Sequence, residues 1–226
     1  MTSRQLHQDY STEAICERLL QRHRGSVSVQ KQQLAVANLS RIILSTLKLS
    51  NRQGFHAMSL RELASAAGLS MGGMYSYFDT KQTLLLMILD AVSSSAQEVL
   101  GDAPEGLADD PAAHLDWLIA THIQLTEIMQ PWFVFVFMEA KAFPEPAKRI
   151  AIESEAATEA IFADVLRRGV EAGAFAIDDL PLTAAIIKPL LQDWYVKRAK
   201  YRKAGISVSQ FSERVTSFVR AAITPK

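Results

Sequence analysis

Cysteine is almost absent, with Cys16 the single thiol in 226 residues. It can close no disulfide within the chain, and no paired thiols stand at zinc-site spacing. Net charge is missing too: 24 basic residues face 24 acidic ones. Long hydrophobic runs are also lacking. The longest obvious ones, residues 84–89 and 132–138, fall far short of the ~20 apolar residues that span a bilayer. The start of the chain is polar, without an apolar stretch of signal-peptide length. These absences predict a soluble, cytoplasmic protein. No Gly-rich phosphate loop, nucleophile motif or metal-spaced His/Cys set is present, which predicts no enzyme, no catalytic residue, no metal and no cofactor. His114 and His122 lie on one predicted helix, about 12 Å apart along its axis, too far for joint metal ligation. Strand signals are scarce. Val27 and Val29, beside Gly25 and serines, make the one β-like stretch near the start.

What the chain does have is apolar content, 49% of its residues, enough to bury a core. Its neutrality hides an asymmetry. Residues 1–90 carry ten basic against six acidic side chains, leaving fourteen against eighteen for the remainder. A basic front and an acidic rear suit a DNA-binding head on a body that does not touch DNA. Apolar residues recur at helical spacing nearly throughout. Helices are expected over 12–22, around Ile42–Ile43 to a stop at Gly54, from Leu60, around Met74, and over 84–99. Others are expected over 112–130, 132–142, 147–172, 181–203 with Pro189 as a kink, and 207–223.

Residues 59–78, SLRELASAAGLSMGGMYSYF, carry the functional signal. Ser59 and Glu62 form an S-x-x-E capping box, so a helix starts at Leu60. Gly68 follows Ala67 where a tight turn needs positive φ. Leu69 can plug the angle between two helices, and Ser70 is a good N-cap for the second. Helix, glycine turn, helix is the DNA-binding supersecondary unit. On the second helix Met74, Tyr75 and Phe78 are assigned to the inner face. Ser70, Met71, Gly73, Ser76 and Tyr77 are assigned to the outer one. Gly72 and Gly73 let the backbone approach a groove, where serine hydroxyls and an apolar side chain can meet base edges. Arg61 can reach a phosphate or a base. Tyr77 and Lys81 are placed for phosphates, and Asp79 or Thr80 caps the following helix. The expected DNA-binding set is Ser59, Arg61, Ser70, Met71, Gly72, Gly73, Ser76, Tyr77 and Lys81.

Residues 59–86 resemble the DNA-binding signature of the tetracycline-repressor (TetR) family. The matching positions are Ala64, Ala67, Gly68, Leu69, Ser70, Gly72, Met74, Tyr75, Tyr77, Phe78, Lys81 and Leu84, and upstream Ile42, Gly54 and Phe55. Met71 and Gly73 depart from the residues members often carry. The resemblance implies an all-α fold: an N-terminal three-helix helix-turn-helix domain and a C-terminal helical domain for ligand binding and dimerisation. Read this way, 1–35 is an N-terminal extension, 36–82 the DNA-binding domain and 83–226 the regulatory body. The implied partners are a near-palindromic DNA operator, a small-molecule effector, and a second copy through the two C-terminal helices, 182–201 and 211–223. No membrane partner is expected. Repression relieved by the effector is the expected sign.

The aromatic segment PWFVFVFMEAK reads either as core or as the wall of an effector pocket. The pocket reading selects Trp117, Phe133, Phe137, Met138, Phe162 and Trp194. Residues 190–207 look like the C-terminal helices of TetR-type regulators of fatty-acid metabolism, which implies an acyl-CoA or fatty-acid-like effector. The basic run 196–203 reads as a complement to a helix dipole or as an anion site. A DNA-binding protein without an effector, or an enzyme built on the helical body, are the readings that compete.

Overall fold

Helix caps and glycine stops, more than propensity, decide where this chain begins and ends its helices. In the computed structural model, which describes residues 3–22 and 32–225, they are α1 Ser3–Asp9, α2 Thr12–Arg22, α3 Gln32–Gln53, α4 Leu60–Ala67, α5 Met71–Tyr75 and α6 Lys81–Gly101. They continue as α7 Pro111–Ile128, α8 Gln130–Glu139, α9 Glu145–Glu171, α10 Leu180–Val196, α11 Arg198–Lys203 and α12 Val208–Ile223. No strand forms among the described residues. The β-like stretch at 27–29 lies outside them.

Asp110 accepts from the amides of Ala112 and Ala113 and starts α7, with Pro111 in the first turn. Ser207 and Gln210 close a capping box on α12. The single helix expected over 181–203 divides at Lys197 into α10 and α11, and α10 runs on through Pro189. At the end of α9, the Gly169 carbonyl accepts from the amides of Ala174 and Phe175, and Phe175 folds back onto the helix. A Cβ at Gly169 would stand 1.9 Å from that ring, so no side chain fits there.

Contacts gather the chain into two compact units. The head unit takes residues 2–93 and 131–151, and the body unit takes 94–130 and 152–226. In the head unit α3 is the central element, with Leu39, Ile42 and Ile43 fully buried. The expected polar extension contains packed helices. Ile15, Cys16, Leu19 and Leu20 of α2 are buried, and α2 packs on α3. Burial pushes the Cys16 thiol up to about 12, so it stays protonated and inert. Arg22 at the end of α2 pairs with Asp90 of α6 at 3.3 Å.

The 21 residues of α6 are long and apolar enough to cross a bilayer by length and composition, without an unbroken apolar run of that length. An apolar 18-residue window of it is 61% buried inside the protein, the behaviour of a core helix.

The body unit packs α7, α9, α10 and α12 around Leu118, Ile119, Phe162, Leu191 and Trp194. Trp194 donates to Glu127 at 3.0 Å, and Arg198 grips the same carboxylate with two nitrogens at 2.7 and 2.8 Å while stacking on the indole. His122 sits in this core, edge-on to Phe162. Burial pushes its pKa down to about 3, helped by the Lys188 charge. An unfolded histidine titrates near 6.5, so the unfolded chain takes up a proton first as pH falls. Stability should therefore decline below about pH 6.5 and go on declining to about pH 3, by about 5 kcal/mol in full. His122→Gln should flatten the fall in Tm between about pH 6.5 and 4. Calorimetry showing identical pH profiles for the two proteins would refute this assignment. His114, lowered by burial and by Arg168, leaves a residual slope of the same sign.

Candidate nucleic-acid interface

The helix-turn-helix is assembled by backbone closure at each joint. Ser59 accepts from the Glu62 amide at 3.2 Å, and Glu62 accepts from the Ser59 amide at 2.8 Å. That reciprocal bond holds the Glu62 carboxyl below its usual range. At the other end of α4, Gly68 is left-handed, φ 65°. Its amide reaches the Ser65 carbonyl and that of Leu69 reaches the Ala64 carbonyl, the double closure of a Schellman turn. Ser70, extended, caps α5 by accepting from Gly73 at 3.0 Å. Thr80 caps α6 by accepting from the Thr83 amide at 3.0 Å, which settles the choice between Asp79 and Thr80.

α5 is only five residues long, and its sides are sharply divided. Met74 is buried beneath it, and Tyr77 and Phe78 just beyond it. Ser70 and Gly72 are exposed, and Met71, Gly73 and Ser76 half-exposed. A Cβ built on Gly72 meets nothing within 4 Å. Two expectations are overturned here. Tyr75, assigned inward, is 50% exposed; Tyr77, assigned outward to phosphate, is 2% exposed. α5 ends at Tyr75, so the helical period no longer holds at Tyr77, whose amide closes a turn on the Met74 carbonyl.

Lys81 also departs from expectation. Its ammonium donates to the carbonyls of Met58 at 2.7 Å and His56 at 2.9 Å, and lies over the Phe55 ring. Burial pulls its pKa down, against the opposing pull of Glu139 and Glu62. It ties the first turn of α6 to the loop before α4. That loop is braced again from α8 and the turn after it, where Phe55 meets Phe135 edge-on and His56 bonds the Ala142 carbonyl. Arg61 is exposed and makes no hydrogen bond or ion pair with a described residue. Arg41, which sequence reasoning passed over, lies beside the turn: a Cβ on Gly68 would be 3.4 Å from its guanidinium.

The six expected effector residues are divided between the two units. Trp117 is half-buried and Phe162 and Trp194 fully buried in the body unit. Phe133 is half-buried, and Phe137 and Met138 are exposed, in the head unit. Trp194 is packed against Tyr201, Phe211 and Arg198, a core position. The basic run is partly neutralised: Lys197 bonds Asp193 and Arg198 bonds Glu127. A cavity of about 530 Å³ opens between α2 and α3, lined by Glu13, Glu17, Gln32, Gln33, Val36 and Ala37. None of the expected effector residues lines it. No His, Cys, Asp and Glu cluster fit to hold a metal occurs among the described residues.

Two family models match the chain. That for bacterial regulatory proteins of the tetR family covers residues 42–88, and that for the tetracyclin repressor-like C-terminal domain covers 108–222. The chain belongs to the TetR family. Members are transcriptional regulators with a helix-turn-helix, not enzymes. YerO of Bacillus subtilis (strain 168), an HTH-type transcriptional regulator, is 32% identical over 71 residues, 31% of this chain. The match spans a quarter of that relative's length. The fold is shared with a TetR-family regulatory protein from Rhodococcus RHA1 (TM-score 0.73, 17% identity, 84% of this chain and 98% of that one). It is shared also with the ketosteroid regulator KstR2 of Mycobacterium tuberculosis (TM-score 0.67, 20% identity, 89% and 99%). A third TetR-family structure, PfmR of Thermus thermophilus, superimposes with TM-score 0.61 at 24% identity, over 79% and 94%.

Within this TetR head the Tyr77 hydroxyl is buried without a hydrogen-bond partner among the described residues. Tyr77→Phe should leave DNA affinity unchanged and raise stability by up to about 1 kcal/mol. A loss of DNA affinity on that change would restore the phosphate role. Gly68→Ala forces a side chain into the left-handed region and should cost about 1–2 kcal/mol in denaturant unfolding.

Proposed function

We propose that this TetR-family chain is a repressor that binds a near-palindromic operator as a homodimer and releases it on binding a small apolar effector. The observation that carries the DNA reading is the tip of α5. Ser70, Gly72 and Tyr75 face outward over a base of buried Met74, Tyr77 and Phe78. A near-bare helical tip can enter a major groove, and the open space at Gly72 lets backbone approach base edges. Ser70, Met71, Gly73 and Ser76 supply short contacts there, Arg61 a base or phosphate contact, and Tyr75 a phosphate contact in place of the buried Tyr77. Ser59 and Lys81 act by positioning, through the capping box and the two loop carbonyls.

Residues 36–82 are the DNA head and 83–226 the regulatory body in this reading, and the protein works in the cytoplasm. The dimer reading is supported by apolar side chains left on the surface of the last long helices. Leu182 and Ile186, one turn apart on α10, and Phe218 on α12 are each more than half exposed. Pairing those faces in two copies would form a four-helix contact and set two recognition helices about 34 Å apart, one turn of DNA. The effector is an acyl-CoA or fatty-acid-like molecule, in keeping with the apolar interior of the body unit.

Selection of genomic fragments followed by footprinting should return a two-fold symmetric site protected over two successive turns. Arg61→Ala should weaken binding to that site by about 1–3 kcal/mol if it reads a base. If it holds a phosphate, the salt slope should instead fall by about one. Binding that does not distinguish selected from random DNA would defeat the operator reading. Leu182→Glu with Ile186→Glu should shift sedimentation from dimer to monomer, and a monomeric unaltered protein would defeat the dimer reading.

A further inference from the structure

α3 carries a cation that neither the head core nor the helix caps use. Residues 36–82 hold Arg41, Lys48, Arg52, Arg61 and Lys81 against only Glu62 and Asp79. Lys81 is spent on two loop carbonyls, and Arg52 stands near enough to Glu62 to help hold its carboxyl down. Arg41 is exposed and forms no ion pair with a described residue. Among those residues it makes one hydrogen bond, donated to the Asn38 side chain one turn back on α3. That bond aims the guanidinium and leaves its remaining N–H groups for another acceptor.

The guanidinium is aimed at the turn of the helix-turn-helix. Its Nη1 lies 3.4 Å from where a Cβ on Gly68 would stand. It does not serve to close α4. The Ser65 and Ala64 carbonyls are already taken by the amides of Gly68 and Leu69, and Arg41 donates to neither. Gly68 and Ser70 are exposed beside it. A directed, solvent-facing guanidinium therefore stands at the entry to the recognition helix. It lies one residue before the stretch that the regulatory-protein family model matches.

The size of the groove decides what such a group meets. A helix with its side chains is about 10–12 Å across, and the major groove is about 12 Å wide. With the α5 tip in the groove, a long side chain flanking its entry turn reaches the wall, where the phosphates are. We propose that Arg41 holds a phosphate at the rim of the groove that α5 enters, with Asn38 as its positioning residue. This rests on the DNA reading above and adds to its contact set. The planar fork of arginine matches two phosphate oxygens at once. Such a contact reads no base; it fixes the register and orientation in which the tip sits.

Affinity of the full chain for its selected operator and for random duplex is measured across a tenfold range of salt. One phosphate contact contributes about 0.9 to the slope of log affinity against log salt. Arg41→Ala should lower the slope by about that much on both duplexes, a loss that grows about eightfold for each tenfold fall in salt. Its Tm should match that of the unaltered protein, since the side chain is exposed. Arg41→Lys should keep the slope. Asn38→Ala should weaken binding alone but add nothing to Arg41→Ala. Lys203→Ala, which removes an exposed charge from the body unit, should leave the slope unchanged. An unchanged slope in Arg41→Ala, a loss confined to the selected operator, or an equal loss in Lys203→Ala would each overturn the phosphate contact. An Asn38→Ala effect that persists in full beside Arg41→Ala would overturn the positioning role. A chain that binds both duplexes alike, yet loses slope on Arg41→Ala, would defeat the operator reading and keep the contact. Operator-selective binding indifferent to Arg41→Ala would keep the operator reading and defeat the contact. Binding to neither duplex would defeat both.

Discussion

One left-handed residue sets the geometry on which DNA recognition depends. Gly68 turns the chain between α4 and α5, and its closure is fixed by two amide bonds back into α4. Leu69 and Ser70 follow at once, so there is no slack in which the angle could drift. A five-residue helix has little stability of its own. α5 is held by its cap at Ser70 and by three large side chains, Met74, Tyr77 and Phe78, sunk into the head core. The exposed tip is thus rigid because everything under it is packed.

Polar groups in the head divide into those that build and those left to act. Ser59, Glu62, Thr80 and Lys81 satisfy backbone amides or carbonyls. They hold the joints among α3, α4 and α6. Arg61, the Ser70 hydroxyl proton and the Tyr75 ring are not used in this way. Glu127 builds in the same way in the body, where it is consumed by Trp194 and Arg198.

Features governed by neighbours in sequence were legible from the sequence itself. The capping box at Ser59, the turn at Gly68, the cap at Ser70 and the start of α2 at Thr12 all involve residues within four positions of each other. Side-chain direction failed where the local period ended. Tyr75 and Tyr77 exchange places because α5 stops between them, and a helical wheel continued past Tyr75 gives the wrong face. Lys81 failed for another reason. Its acceptors lie 23 and 25 residues upstream, and no spacing rule reports a bond across a turn of the fold. The effector candidates were chosen for aromatic bulk, which is equally the signature of core, and Trp194 is core.

The packing of α2 against α3 bears on what counts as the working unit. The stretch that matches the regulatory-protein family begins at residue 42, which invites treating everything before it as a dispensable leader. Yet Ile15, Cys16, Leu19 and Leu20 are as deeply enclosed as the recognition motif's own supports. Trimming the protein to the family boundary would remove the first ten residues of α3 and strip the rest of that helix of the cover α2 gives it. Such a fragment would be prone to self-association. The segment that looked least informative is therefore a part of the scaffold on which selective reading rests.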